Sequence, residues 1–298
     1  MLNITKFLLI AFGLFISCNL TLISKKQPKS NKEILTIVTY NMEWLGDGIN
    51  DTKPRNNDIL SKIATILSDL NADVIGVQEV ENDAAIKSIV SKMPDYNYYL
   101  CKENKKSKLN VGVIYKKNLN LKNIKEYTPL LLPTYNISLR EGLVFNVEKN
   151  GTEFICMVVH LKSTSRYDST PALQNLSREI RTNQNQLLSN FVDSINKINP
   201  KTKIILLGDF NDNPKRKKYN TMLSLIENPN IFFLTTDQKS CKYPTAYSVD
   251  HIVVNSSAKE KYIEGSLFQY NIYNSFNKEV ATQISDHCPI AVKFNVAK

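Results

Sequence analysis

The sequence is poor in the residues that dominate many metal and redox sites. Five of its 298 residues are cysteine and no CxxC pair occurs, so a zinc site of the cysteine type is not expected. Only three residues are histidine, His160, His251 and His287, and any imidazole chemistry must draw on them. No internal repeat and no central linker stands out, which argues against a solenoid or a string of small domains. The apolar run from Phe7 to Ile16 is too short to span a bilayer. Negative charge is in deficit: 28 acidic residues face 38 lysines and arginines, a formal net charge of +10. That balance fits an anionic partner such as nucleic acid or a membrane surface, although lysine-rich solvated faces produce the same figure.

What is present begins at the N-terminus. Lys6, the apolar run, Ser17 and Cys18 have the layout of a signal peptide, and a small residue before cysteine resembles a bacterial lipoprotein signal. The expected organisation is a signal over residues 1–17, a polar tether over 18–32 containing Pro28, and a domain over 33–298. The product is expected to be exported, either held at the cell envelope through a lipid on Cys18 or secreted. Cys101, Cys156, Cys241 and Cys288 allow three pairings, and no spacing selects one. Cys156 in "FICMVV" and Cys288 in "DHCPI" are expected to be small buried core residues.

Beyond residue 33, β-branched runs alternate with helical patterns. "ILTIVTYN", "DVIGVQEV", "NVGVIYKK", "GLVFNVE", "EFICMVVHL", "IILLGDF", "DHIVVN" and "PIAVKFNV" are expected strands. Ile59, Ile63, Ile66, Leu67 and Leu70 share one helical face. Leu173, Leu176, Ile180, Leu187, Phe191, Ile195 and Ile198 share another, on a helix that Pro200 stops. Several strands are almost wholly apolar, which implies sheets covered on both faces. The expected class is α/β.

Polar groups stand where these strands end. Asn41, Glu79, His160, Asp209 and Asn211 close four of them, while Asp250 and the Ser285-Asp286-His287 triplet precede two others. The start of one strand lies beside the end of its antiparallel neighbour, so all can share one rim. Taken singly, each is more often a turn or a helix cap. Taken together, carboxylates, amides and imidazoles are what a metal-dependent phosphodiesterase needs. Trp44 and Met42 are expected in the core, and His251, facing away from Asp250's partner, is expected to be structural.

The segments "YNMEWL", "QEVEN", "VVHLKS", "LLGDFND", "VDHIVV" and "SDHCPI" resemble, in order, the motifs of the endonuclease/exonuclease/phosphatase superfamily over residues 36 to 296. The resemblance implies a deoxyribonuclease I-like four-layer α/β sandwich, with two packed mixed sheets flanked by helices. It implies a monomer using magnesium, with manganese or calcium as alternatives. Glu79 matches the principal metal ligand, and Asn41 and Asp286 match groups that complete the metal shell. Asp209 matches the residue that orients or deprotonates the attacking water, and Asn211 an amide donor to phosphate. His287 with Asp250 matches the family's Asp–His couple, and His160 a second histidine at the phosphate. Arg140 matches a phosphate-contacting arginine, while Lys162, two residues beyond His160, faces the same way.

One position departs from the family's pattern. Deoxyribonuclease I carries a minor-groove arginine where this chain has Glu81. "QEVEN", "HLKS" and the Arg-containing stretch from Ser163 to Gln186 are closest in look to secreted bacterial nucleases of the superfamily. The function this implies is nuclease action on DNA or RNA. The alternative is a phosphoesterase acting on a lipid or small molecule, since fold does not fix substrate. The run from Lys215 to Lys218 is expected to be a solvated face near the site.

Overall fold

The structure is a computed structural model that describes residues 33–102, 107–165 and 167–297. The expected signal and tether lie outside the described residues. Twelve strands are formed: β1 (Ile34–Leu45), β2 (Val74–Val80), β3 (Tyr96–Leu100), β4 (Asn110–Lys116), β5 (Leu121–Tyr127), β6 (Gly142–Lys149), β7 (Thr152–His160), β8 (Lys203–Asp209), β9 (Ile231–Phe233), β10 (Asp250–Asn255), β11 (Phe268–Gln269) and β12 (Ile290–Asn295). Helices are α1 (Asn57–Asp69), α2 (Asp83–Val90), α3 (Pro171–Ile198), α4 (Leu223–Ile226), α5 (Ser256–Lys259), α6 (Ile272–Ser275) and α7 (Lys278–Ile284).

The strands make two mixed six-stranded sheets, in the orders β11-β12-β1-β2-β4-β3 and β5-β6-β7-β8-β10-β9. Each sheet contains one parallel pair, β1 with β2 and β7 with β8. Parallel neighbours need a crossover, and α1 and α3 provide them. Side-chain caps start these helices: Asn56 accepts from the Ile59 N–H, and Thr170 from the Leu173 N–H ahead of Pro171.

Three apolar clusters mark three interfaces between four layers. Val158, Leu207 and Phe294 lie in the cluster between the sheets. Ile63, Leu67 and Ile86 belong to the cluster that seats α1 and α2 on the first sheet. Leu188 and Val192 belong to the one that seats α3 on the second. Two mixed sheets flanked by helices are thus the observed architecture.

Four expectations need correction. The strands missed in the sequence, β3, β5, β9 and β11, are the four sheet edges. Helix α3 is rotated from the expected face: it buries Ser177, Arg181, Gln184 and Asn185 beside Ile180, Leu188 and Val192, while Leu173 and Ile198 are exposed. Irregular backbone around α3 needs donors and acceptors, and Gln184 supplies both, donating to the Leu130 carbonyl and accepting from the Lys162 N–H. Cys288 is not a lone core thiol but is bonded to Cys241, whereas Cys156 is free and buried as expected. Trp44 is 37% exposed, because the chain turns there, while Met42 is buried.

Candidate active site

The rim forms where the strands end, and in the first sheet the pairing becomes irregular there. The β1–β2 register shifts between Asn41 and Leu45, and the β2–β4 register between Val77 and Val80. Glu43, Trp44 and Glu79 adopt left-handed backbone at φ of 44°, 57° and 60°. Such conformations cost non-glycine residues about 1–2 kcal/mol each and persist only where surroundings impose them. Arg55 is one such constraint: its guanidinium donates to the carbonyls of Met42, Glu43, Trp44, Gln283 and Ile284. It ties the end of β1 to the end of α7, which leads to Ser285, Asp286 and His287.

In the second sheet His160 pairs with Asp209 in register at the ends of β7 and β8, and Asp250 of β10 faces Asp209 from the other side. Close approach of β7 and β8 depends on Gly208, at φ 146°. A Cβ there would lie 1.9 Å from the Val159 carbonyl oxygen, far inside van der Waals contact.

Asn41 joins the two sheets across the rim. Its amide nitrogen donates to Glu79 Oε1 at 3.1 Å and to Asp209 Oδ2 at 3.0 Å, while its oxygen accepts from the Glu43 N–H at 2.9 Å. Glu79 Oε2 accepts from the Trp44 N–H at 3.1 Å. His160 Nε2 stands 3.7 Å from Glu79 Oε1 and 3.6 Å from Asp209 Oδ2, too far for hydrogen bonds. Its Nδ1 is buried without a partner among the described residues. The donors of Glu79, His160 and Asp209 lie within 4.8 Å of one another, and so do those of Asp209, Asp250 and His287. A gap edged by carboxylate oxygens and a neutral imidazole suits a divalent cation, and Glu79 and Asp209 supply the hard oxygen donors. Direct ligation by Asn41 would use its oxygen, which accepts from the Glu43 N–H.

The two rim histidines sit in opposite fields. Burial, then Arg140 and His287, hold the His160 pKa well below its ordinary value, so it is neutral. Burial also works against a charge on His287, but Asp250, Asp209 and Asp286 prevail and hold its pKa well above the ordinary value. His287 Nδ1 lies 3.0 and 2.8 Å from the Asp250 oxygens, and Asp250 also accepts from the Ser248 hydroxyl at 3.1 Å. Its Nε2 is turned toward Asp209 Oδ2 at 4.0 Å and Asp286 Oδ1 at 3.8 Å. Burial pushes the Asp209 carboxyl up to about 7, with His287 opposing and Asp250 and Glu79 adding to the rise. A cation beside Glu79 would oppose the rise as His287 does.

The remaining predicted residues are placed as follows. Asn211, at φ 53°, donates its backbone N–H to Asp209 Oδ1 at 2.8 Å and its side-chain amide to the Leu161 carbonyl at 3.0 Å. Arg140 donates to the Leu109 carbonyl at 3.1 Å; burial lowers its pKa against the pull of Glu79 and Asp209. Lys162 turns to the Ser163 carbonyl at 2.6 Å and to Asp168 at 3.4 Å. Asp286 belongs to neither donor group; its Oδ2 lies 3.5 Å from Lys242. His251 is buried behind the rim. Its Nε2 donates to the Asp212 carbonyl at 2.9 Å and its Nδ1 meets the Thr235 hydroxyl at 2.8 Å.

Sequence reasoning missed Arg55 and Glu43, whose carboxylate accepts from the Asp286 N–H at 2.6 Å and pairs with Lys53. It also missed a cavity of about 210 Å³ beside the His287 turn, walled by Tyr243, Tyr247 and the Cys241–Cys288 bond. Glu43 adjoins Asn41 in a quoted motif, so proximity was a usable signal. Arg55 and the tyrosines lie in segments with no pattern of their own.

A profile of the Endonuclease/Exonuclease/phosphatase family matches residues 36–231. No curated protein matches the chain significantly. The fold is similar to D. rerio TDP2 complexed with single strand DNA product, with TM-score 0.62, 17% identity, and 88% of this chain and 99% of that one covered. It is similar to the Bacteroides thetaiotaomicron mannosyl-6-phosphatase, with TM-score 0.57, 14% identity and coverage of 87% and 98%. It is also similar to the human Nocturnin catalytic domain with bound sulfate, with TM-score 0.55, 14% identity and coverage of 88% and 94%. The profile shows the family and the likenesses show the fold, and neither ties the chain to a narrower group such as secreted bacterial nucleases. They also correct the expectation of export: TDP2 and Nocturnin are nuclear or cytoplasmic enzymes, neither secreted nor lipoprotein-anchored. Cys18 lies outside the described residues, and nothing supports a lipid on it; the cysteine bond that is seen joins Cys241 to Cys288.

Proposed function

Because the chain belongs to the endonuclease/exonuclease/phosphatase family and is a metal-dependent hydrolase of phosphoester bonds, we propose that it is a nuclease that cuts DNA or RNA by attack of an activated water. One observation carries the chemistry. The Asp209 carboxylate belongs to both donor groups, with Glu79 and His160 on one side and Asp250 and His287 on the other. An acid shared in this way can hold a water and take its proton while a phosphate lies between the two imidazoles. A divalent cation held chiefly by Glu79, magnesium by the oxygen character of the donors, supplies charge neutralisation and polarisation of the phosphoryl oxygen when bound.

The chain's own residues divide the rest. Asn41 fixes the Glu79 and Asp209 carboxylates in mutual register. Asn211 offers an amide donor to a phosphate oxygen. His287, kept charged by Asp250, stabilises negative charge as it builds on the phosphoryl group. Neutral His160 presents an N–H to the leaving side, and Arg140 adds positive potential close by. The basic balance of the chain supports a nucleic-acid substrate, and so does the likeness to D. rerio TDP2, which is complexed with a single strand DNA product.

A second possibility, a small-molecule phosphoester, is favoured by the cavity of about 210 Å³ beside Asp286 and His287, which suits a single ring, and by the likeness to a sugar phosphatase. Purified protein assayed with magnesium on plasmid, RNA, sphingomyelin and bis-p-nitrophenyl phosphate separates the two. Cleavage of plasmid or RNA that EDTA abolishes is expected. Inert polymers beside rapidly cleaved small esters would reverse the choice.

A further inference from the structure

On the β7–β8 side the rim opens into a second cavity, of about 310 Å³, lined by Thr164, Arg178, Arg181, Asn211, Arg216 and Tyr219. Its charge is unbalanced. Arg181 and Arg216 share one buried carboxylate, Asp212, which also accepts from the Thr221 backbone and hydroxyl at 2.9 and 2.7 Å. Among the described residues no carboxylate pairs with Arg178; its guanidinium lies 4.3 Å above the Tyr219 ring and bonds only to the neutral side chains of Asn175 and Gln174. Three guanidinium groups thus face one acid.

The cavity is also built in advance. Asp212 and Thr221 close the base of the intervening loop, and Asn220 pins it to the Pro214 carbonyl at 3.0 Å. Within that loop Tyr219 takes a left-handed backbone at φ 56°, the turn that sets its ring under Arg178. Arg181 is held by the Lys162 carbonyl and by the hydroxyls of Thr164 and Thr221. Planar, prepositioned guanidinium groups match the paired oxygens of phosphate. Asn211 lines both this cavity and the hydrolytic rim, so an anion here would sit one step along from the reacting phosphate.

We propose that this cavity is a second phosphate subsite, which receives the phosphate neighbouring the scissile one along a nucleic-acid strand. The proposal rests on the nucleic-acid function above. It makes two phosphates one nucleotide apart the unit the enzyme grips, with Arg178 as a specificity-determining residue outside the hydrolytic chemistry.

The test uses inhibitors of bis-p-nitrophenyl phosphate hydrolysis, which places a single phosphate in the rim. Adenosine 3′,5′-bisphosphate is compared with adenosine 5′-monophosphate and adenosine 3′-monophosphate, on wild-type protein and on Arg178→Gln and Arg178→Lys. The bisphosphate is expected to inhibit the wild type about tenfold more tightly than either monophosphate, the size of one charge-assisted contact. Arg178→Gln should erase that advantage while kcat/KM for the small diester is unchanged, which also reports a folded variant; Arg178→Lys should keep part of it. A bisphosphate no better than the monophosphates, or an Arg178→Gln variant that weakens all three inhibitors alike, overturns the subsite. Cleavage of a single-stranded oligonucleotide is measured in parallel. An uncut oligonucleotide beside an intact bisphosphate advantage would reject the nucleic-acid function and keep a two-phosphate site.

Discussion

On the β10–β12 flank of the rim, a disulfide joins the loop bearing Tyr243 and Tyr247 to the turn bearing Asp286 and His287. On the β7–β8 flank the corresponding space is bounded by guanidinium groups, held by ion pairs, hydrogen bonds and a ring contact rather than by a covalent tie. The first flank gathers carboxylates around its histidine, and His287 is charged. On the second, burial and then Arg140 and His287 work against a charge, and His160 is neutral. One residue type therefore has two protonation states on one rim: burial works against the charge at both, and only at His287 do the surrounding carboxylates outweigh it. A phosphate between them meets a cation on one side and a neutral donor on the other. The two histidines cannot exchange roles without exchange of their surroundings.

The comparison breaks most completely at the group both flanks need. Glu79→Gln, or excess EDTA on the wild type, should lower turnover by roughly a thousandfold or more, the several kcal/mol a bound cation contributes. Diesterase assays with a magnesium titration check this, and undiminished activity in EDTA would falsify metal dependence. Next is Asp250→Asn, which leaves His287 its position but removes the nearest charge. Loss of about 10²- to 10⁴-fold in kcat is expected, by analogy with removal of the carboxylate behind a catalytic histidine. The sign of the pH effect follows from the raised pKa. Wild-type His287 stays protonated through neutrality, so the variant should lose activity at lower pH on the alkaline side. An alkaline limb that does not move would show that Asp250 has no hold on that proton.

The covalent tie belongs to one flank only. Replacing Cys241 and Cys288 together by serine frees a 47-residue separation, worth about 4 kcal/mol of stability in the loop-entropy account. Thermal melts with and without reductant should show a drop of several degrees, and coincident melts would mean that the bond contributes nothing. The smallest effect is expected at Lys162. Its ammonium group is already engaged by Ser163 and Asp168, so Lys162→Ala should change kcat/KM for plasmid only a few-fold. A larger loss would mean that the side chain leaves Asp168 when substrate arrives.

How much could be read in the sequence follows the same inside–outside logic. Central strands such as β2, β7 and β8 are apolar on both faces and were legible. The edges are not: β5, "LKNIKEY", and β3, "YNYYL", carry polar or mixed faces and look like loops. The rim was legible because strand-end positions are adjacent in topology once the strands are placed. What stayed hidden depends on partners distant in the chain. Arg55 reaches Gln283 across 228 residues, and Cys241 chooses Cys288 from three possible pairings only when the fold brings them together. Helix α3 misled for a related reason. Its apolar repeat is genuine, yet Gln184, Asn185 and Arg181 are drawn inward by backbone groups that no periodicity reveals.

Gly208 has a consequence for how tolerance to change would be interpreted. Every amino acid one base change away from glycine carries a Cβ, and here that atom would collide with the Val159 carbonyl and push apart the strands that deliver His160 and Asp209. In a saturation scan scored by activity, position 208 should therefore be as intolerant as Asp209 itself, although it has no side chain to touch any substrate. Scoring the same library for folded protein separates the two: losses at 208 should appear in both screens, and Asp209→Asn should be lost only from the screen for activity.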